Sequence, residues 1–100
     1  MNEQVTLITV TSSGNSFNHI QNESKNTVFC TEHNVGRREF FDAEANGVKA
    51  EYKLNVWAHE YNGETIVEYG TDKNGKAKRY KIYRTHKVGD EIELYLADEG

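Results

Sequence analysis

Four histidines (His19, His33, His59, His86), one cysteine (Cys30) and sixteen carboxylates are the residues with which this chain could do chemistry. A metal site asks for imidazole or thiolate ligands at short spacing, as in HxH or HExxH. Here the histidines stand far apart and without cysteine companions. Ser12, Ser13, Ser16 and Ser24 fall in one polar stretch that supplies no paired base, so no activated nucleophile is marked out. Gly70 and Gly75 bracket a charged turn and Gly14 is alone, which is no phosphate cradle. Nothing singles out two carboxylates for acid and base roles. The expectation is a protein that is not an enzyme, with no catalytic residue, no cofactor and no metal. Cys30 reads as a small buried hydrophobe.

One hundred residues at 11.5 kDa allow a single small domain with one modest core. Folded, such a chain should expose about 5,800 Å². Cys30 cannot form an internal disulfide, which suits a reducing compartment. No apolar run approaches the roughly 20 residues that span a bilayer, and Met1-Asn2-Glu3-Gln4 lacks the start of a signal peptide, so the chain is expected to be neither exported nor anchored. The net charge of −4 argues against a protein that coats nucleic acid. That average hides an asymmetry: Lys73, Lys76, Lys78, Arg79, Lys81, Arg84 and Lys87 form a stretch without a carboxylate. It is either a solvated strand face or a docking surface for an acidic partner.

The elements that must position these residues are mostly strands. Val5–Val10 is a β-branched run and Thr27–Glu32 a second one. Between them, residues 12–26 are polar and predict a long flexible loop. Residues 36–47 form the one helical stretch, opened weakly by Gly36 and closed by Asn46-Gly47. From Ala50 to His59 the apolar positions alternate, leaving Trp57 on the polar face as a cover or an interface anchor. Asn62-Gly63 predicts a type I′ turn and a tight hairpin into Thr65–Tyr69. Asn74-Gly75 predicts another, into Lys78–Thr85, with Tyr80, Ile82 and the stem of Arg84 inward. Val88-Gly89-Asp90 turns into Ile92–Leu96. Together these predict a mainly β fold: a single domain over residues 1–100, a small antiparallel barrel of about six strands with one short helix and long mobile loops.

Val28-Phe29-Cys30, Arg38-Glu39-Phe40-Phe41-Asp42-Ala43, Gly47-Val48-Lys49-Ala50-Glu51, Glu60-Tyr61-Asn62-Gly63-Glu64, Tyr80-Lys81-Ile82-Tyr83-Arg84-Thr85 and Ile92-Glu93-Leu94-Tyr95 follow one another over about seventy residues. In order and spacing this series resembles the small head-closure proteins of tailed bacteriophages, also called head-tail connector or stopper proteins. Two positions depart from the family, which commonly has serine where Gly36 stands and proline where Ala50 stands.

The resemblance implies a structural protein of the virion neck, assembled in the bacterial cytoplasm. It would add as a ring beneath the portal and its adaptor, retain packaged DNA and present a platform for the tail. Residues 33–49, with their short helix, would form the gate that closes the channel, placing Arg37, Arg38, Glu39, Phe40, Phe41 and Asp42 there. The implied partners are the adaptor or portal ring, tail proteins, further copies of the chain (which can be monomeric when free) and genomic DNA touched without sequence specificity; no membrane is implied. Trp57, Lys76, Lys78, Arg79, Lys81, Glu91 and Glu93 are the candidate interface residues, since the basic stretch and the acidic carboxy-terminal strand could meet across neighbouring subunits or pair within one hairpin. Two other functions compete: a tail-completion or terminator protein, and a single-stranded nucleic-acid-binding barrel with tyrosines as stacking platforms.

Overall fold

The structure, a computed structural model, describes residues 1–13 and 20–98. Its elements are β1 (Glu3–Ser13), β2 (Ile20–His33), α1 (Arg37–Ala45), β3 (Ala50–Trp57), a 3₁₀ turn (Ala58–Glu60), β4 (Ile66–Thr71), β5 (Ala77–Val88) and β6 (Glu91–Asp98). The strands close into a barrel in the order β1-β2-β3-β6-β5-β4, with every pair antiparallel. The expected small six-stranded barrel with one short helix is therefore what the chain forms. β4, β1, β2 and β3 lie side by side in that order, as in a Greek key, with α1 inserted between β2 and β3.

Alternation along each strand sends one set of side chains inward. Val5, Leu7, Val28, Cys30, Leu54, Val56, Val67, Tyr80, Leu94 and Leu96 make the core, and Tyr52, Tyr61, Tyr69, Ile82 and Ile92 pack at its margins. Cys30 is fully buried, and burial pushes its thiol up to about 11, far from a reactive thiolate.

Two local expectations are corrected. Much of the predicted loop over residues 12–26 is strand: β1 runs to Ser13 and β2 begins at Ile20, in register from Glu3 opposite Cys30 to Ser13 opposite Ile20. The part of that expectation falling on residues 14–19 lies outside the described residues. A ladder is held by backbone hydrogen bonds, and side-chain polarity does not forbid it. Asn22 to Asn26 are exposed, so no apolar alternation reveals the strand. The cross-strand ladder supports it instead, with the Thr11 hydroxyl donating to the Asn22 carbonyl at 3.4 Å. This ribbon accounts for a surface of 6786 Å², above that of a compact domain of this mass, and for a long axis of 46 Å.

The second correction concerns Asn62-Gly63. β3 and β4 do not form a hairpin, because β3 pairs with β2 and β6 while β4 pairs with β1 and β5. A type I′ turn needs positive φ at both central residues. Gly63 has it (φ 84), but Asn62 does not. Residues 58–65 instead cross one end of the barrel and satisfy their own polar groups. The Ala58 amide donates to the Asp90 carbonyl at 2.8 Å, the Asn62 amide to the buried Glu64 carboxylate at 2.6 Å, and the Tyr61 hydroxyl to the Glu64 carbonyl at 2.7 Å. The other two hairpins form as expected, Asp72 Oδ1 organising the first by accepting from the Asn74 and Lys76 amides at 2.8 and 3.0 Å.

Candidate interaction site: the helix and its seat on the barrel

The helix spans nine residues, too few to persist in water without tertiary contacts. Gly36 gives it no side-chain cap, and Glu39 in the first turn complements the helix dipole. Its end is better determined. Gly47, at φ 78, takes the left-handed position, and the Val48 and Gly47 amides donate to the Ala43 and Glu44 carbonyls at 2.9 and 3.0 Å, a Schellman closure. Asn46 Nδ2 also donates to the Asp42 carbonyl at 3.0 Å.

What holds α1 to the barrel is one apolar contact face and one polar anchor. Ala43 is buried. Glu39 accepts a hydrogen bond from the Tyr83 hydroxyl at 2.9 Å and another from the Arg84 guanidinium. Arg84 in turn lies 4.1 Å above the Tyr95 ring, a cation–π contact, and the Tyr83 and Tyr95 rings are 6.2 Å apart. Burial, joined by the Glu39 carboxylate, raises the Tyr83 phenol well above its ordinary value. Burial works against the charge on Arg84, but the hydrogen bond and charge of Glu39 outweigh it and hold the guanidinium protonated. The seam opens into a cleft of about 490 Å³.

Alternation alone would point the stem of Arg84 inward with Tyr80 and Ile82. The structure puts Arg84 on the outer wall, because the ladder slips between Ile82, opposite Leu96, and Arg84, opposite Tyr95. Tyr83 is the extra residue of a bulge, and one extra residue exchanges the two faces of everything beyond it. Tyr83, Arg84 and Tyr95 are thus the anchor residues that sequence reasoning missed as a group. The only local signal was the outward position of Tyr83 and Tyr95.

The six gate candidates lie on or beside this docked helix. Arg37, Arg38 and Asp42 are exposed, with Arg38 Nε 4.0 Å from Asp42 Oδ2. Glu39 faces the barrel. Phe40 is half-buried and Phe41 is 58 % exposed, their rings meeting edge to face at 6.0 Å.

The interface candidates divide. Arg79 is engaged within the chain: it makes two hydrogen bonds to Glu23, at 2.6 and 2.8 Å, and lies 3.4 Å from Glu68, which Lys25 also reaches at 3.3 Å. The Arg79 guanidinium holds the Glu23 carboxyl below its usual range. Glu93 is also engaged, by His86 at 2.9 Å, Lys53 at 3.4 Å and the Tyr95 hydroxyl at 3.2 Å. Burial would raise the Glu93 pKa, but the His86 hydrogen bond and the Lys53 charge lower it on balance. Glu91 accepts from Asn55 Nδ2 at 3.1 Å. Lys76 and Lys81 are exposed, Lys78 lies 5.3 Å over the Tyr80 ring, and Trp57 is 41 % exposed on the outer wall. Intrachain pairing thus takes Arg79 and Glu93, while Lys76, Lys78, Lys81 and Trp57 face solvent.

Among the described residues no group of three His, Cys, Asp or Glu side chains could hold a metal, and no helix is long and apolar enough to cross a membrane. Comparison with family models, curated proteins and solved structures finds no match to this chain.

The anchor makes a measurable prediction. Glu39→Gln keeps the shape of the side chain and removes the charge that Arg84 meets. The partly exposed charge-assisted contact is worth about 1–2 kcal/mol. Amide exchange in α1 should therefore accelerate roughly 5- to 30-fold, while exchange in the buried strands changes little. Equal acceleration throughout the barrel would show that the helix and the barrel open together.

Proposed function

We propose that this chain is a head-closure protein of a tailed bacteriophage. It assembles as a ring beneath the portal and adaptor, retains packaged DNA with the α1 segment and offers the tail its platform; its role is structural and not catalytic. The observation that carries this reading is the helix between β2 and β3, which displays Phe41 to solvent and is held by a few contacts outside the closed barrel core. Such a segment can swing into a channel without opening the core. The net charge of −4 suits a conduit through which a polyanion must pass without adhering. The nucleic-acid-binding alternative is weakened because Glu23 and Glu68 neutralise Arg79 at the centre of the basic stretch.

The test is made on particles. Electron cryomicroscopy of the parent virion should place the chain as a ring in the neck between adaptor and tail. A position on the tail side alone would favour the tail-completion alternative. Changing Phe40 and Phe41 to serine should give particles that fill with DNA and then lose it, detected as nuclease-sensitive genome, while the isolated protein keeps its fold. Full retention by that double variant would refute the gate.

A further inference from the structure

We infer that the free edge of β2, from Ser24 to Cys30, is a docking edge for an extended, uncharged polypeptide segment of a partner protein, added as one more strand. This does not rest on the role proposed above. β1 covers one side of β2 from Ile20 to Cys30, but on the other side β3 pairs only with Thr31 to His33. Among the described residues, no strand pairs with Ile20 to Cys30 on that side. Alternate backbone amides and carbonyls there have the spacing that an extended chain satisfies.

Two further observations make this edge a site. Edge strands are commonly guarded by charged side chains that repel an incoming strand. β2 has such charges, Glu23 and Lys25, yet both are drawn the other way, across β1: Lys25 to Glu68 on β4 and Glu23 to Arg79 on β5. Within Ser24 to Cys30 the edge is thus left with no charge aimed at an incoming strand. The second observation is aromatic. Extending the β2–β3 register by two residues would set Phe29 opposite Trp57, but the ladder stops at Thr31 and Asn55. Phe29 is 54 % exposed and Trp57 41 % exposed, both on the outer face. A strand lying along Ser24 to Cys30 would bring an apolar side chain against these rings. A charged segment would leave its charges beside an edge that aims none at them and two aromatic faces, so the partner is an uncharged strand with an apolar residue at that position.

Trp57 is the sole tryptophan, so its emission reports on the site directly. The probe is a soluble nine-residue peptide of alternating threonine and valine, with a control in which the central residue is proline. The expected result is a blue shift and reduced acrylamide quenching of Trp57, with slowed exchange at alternate amides between Ser24 and Cys30. The proline peptide should produce neither, because it cannot complete the ladder. Phe29→Ser, outside the core, should keep the fold and weaken the peptide about 10-fold. The proposal is overturned if the β2 amides gain no protection, if the proline peptide works equally well, or if the edge is instead occupied by a second copy, seen as concentration-dependent dimerisation that protects the same amides without peptide.

Discussion

Leu54→Ala is expected to lower the free energy of unfolding by about 3–5 kcal/mol in urea denaturation. Leu54 is fully buried, sits opposite Leu94 across the β3–β6 ladder and opposite Glu32 in the short β2–β3 ladder, and belongs to the core cluster. The truncation removes the packing of most of a leucine and leaves a cavity that the closed barrel cannot collapse around, since its walls are fixed by hydrogen-bonded strands. A domain of this size has only about 5–15 kcal/mol in hand. The loss is therefore a large share of the total, and the barrel should loosen first where β2 and β3 meet over three residue pairs. Phe41→Ala, on the exposed face of the helix, serves as the contrast and should change stability by no more than about 0.5 kcal/mol. A Leu54→Ala loss below about 1 kcal/mol would contradict a packed interior at this position.

Alkaline pH should unfold the protein more steeply than its composition suggests. Tyr61, Tyr69, Tyr80, Tyr83 and Tyr95 all have pKa values raised above the ordinary 10.0, in each case first by burial. Tyr69 and Tyr83 add a hydrogen bond donated to a carboxylate, at 2.6 Å to Glu32 and 2.9 Å to Glu39. Above pH 10 the unfolded chain releases these phenolic protons while the folded chain keeps them. The unfolded state then binds fewer protons, so stability falls as pH rises. This contribution is fully present below pH 10 and is lost progressively above it. The urea midpoint should be nearly level from pH 7 to 9 and drop to about half by pH 12. Tyr83→Phe separates the two effects of that hydroxyl: it should lower stability at pH 7, where a hydrogen bond to Glu39 is lost, and flatten the decline above pH 10. An unchanged alkaline slope in both Tyr69→Phe and Tyr83→Phe would contradict the burial and carboxylate contacts assigned to these phenols.

The strands β3 and β6 were legible because each has one face inward and one outward, so Leu54, Val56, Leu94 and Leu96 recur at every second position. The helix was legible too, since residues 37–45 lack β-branched side chains and end at Asn46-Gly47. The distal half of the β1–β2 ribbon was not. There Thr9 to Thr11 and Asn22 to Asn26 pair while exposed, so the alternation that marks other strands is missing. Asn62-Gly63 misled for a related reason: the dipeptide suits a hairpin, but the turn type belongs to the strands on either side, and those strands have other neighbours. Of the candidate site, Arg37 to Asp42 were named from sequence, whereas Tyr83 and Arg84 came together with Glu39 only through a bulge forty-four residues away.

By itself, then, the amino-acid order determined that the alternating segments extend and that residues 37–45 coil, because those choices depend on neighbours one to four positions away. The tertiary structure alone decided that β3 pairs with β6 and not β4, that Glu39 finds Arg84, and that Glu23 and Lys25 turn away from their own strand edge. Those outcomes depend on which distant strand occupies each side of a ladder, and closing the barrel settles all of them at once.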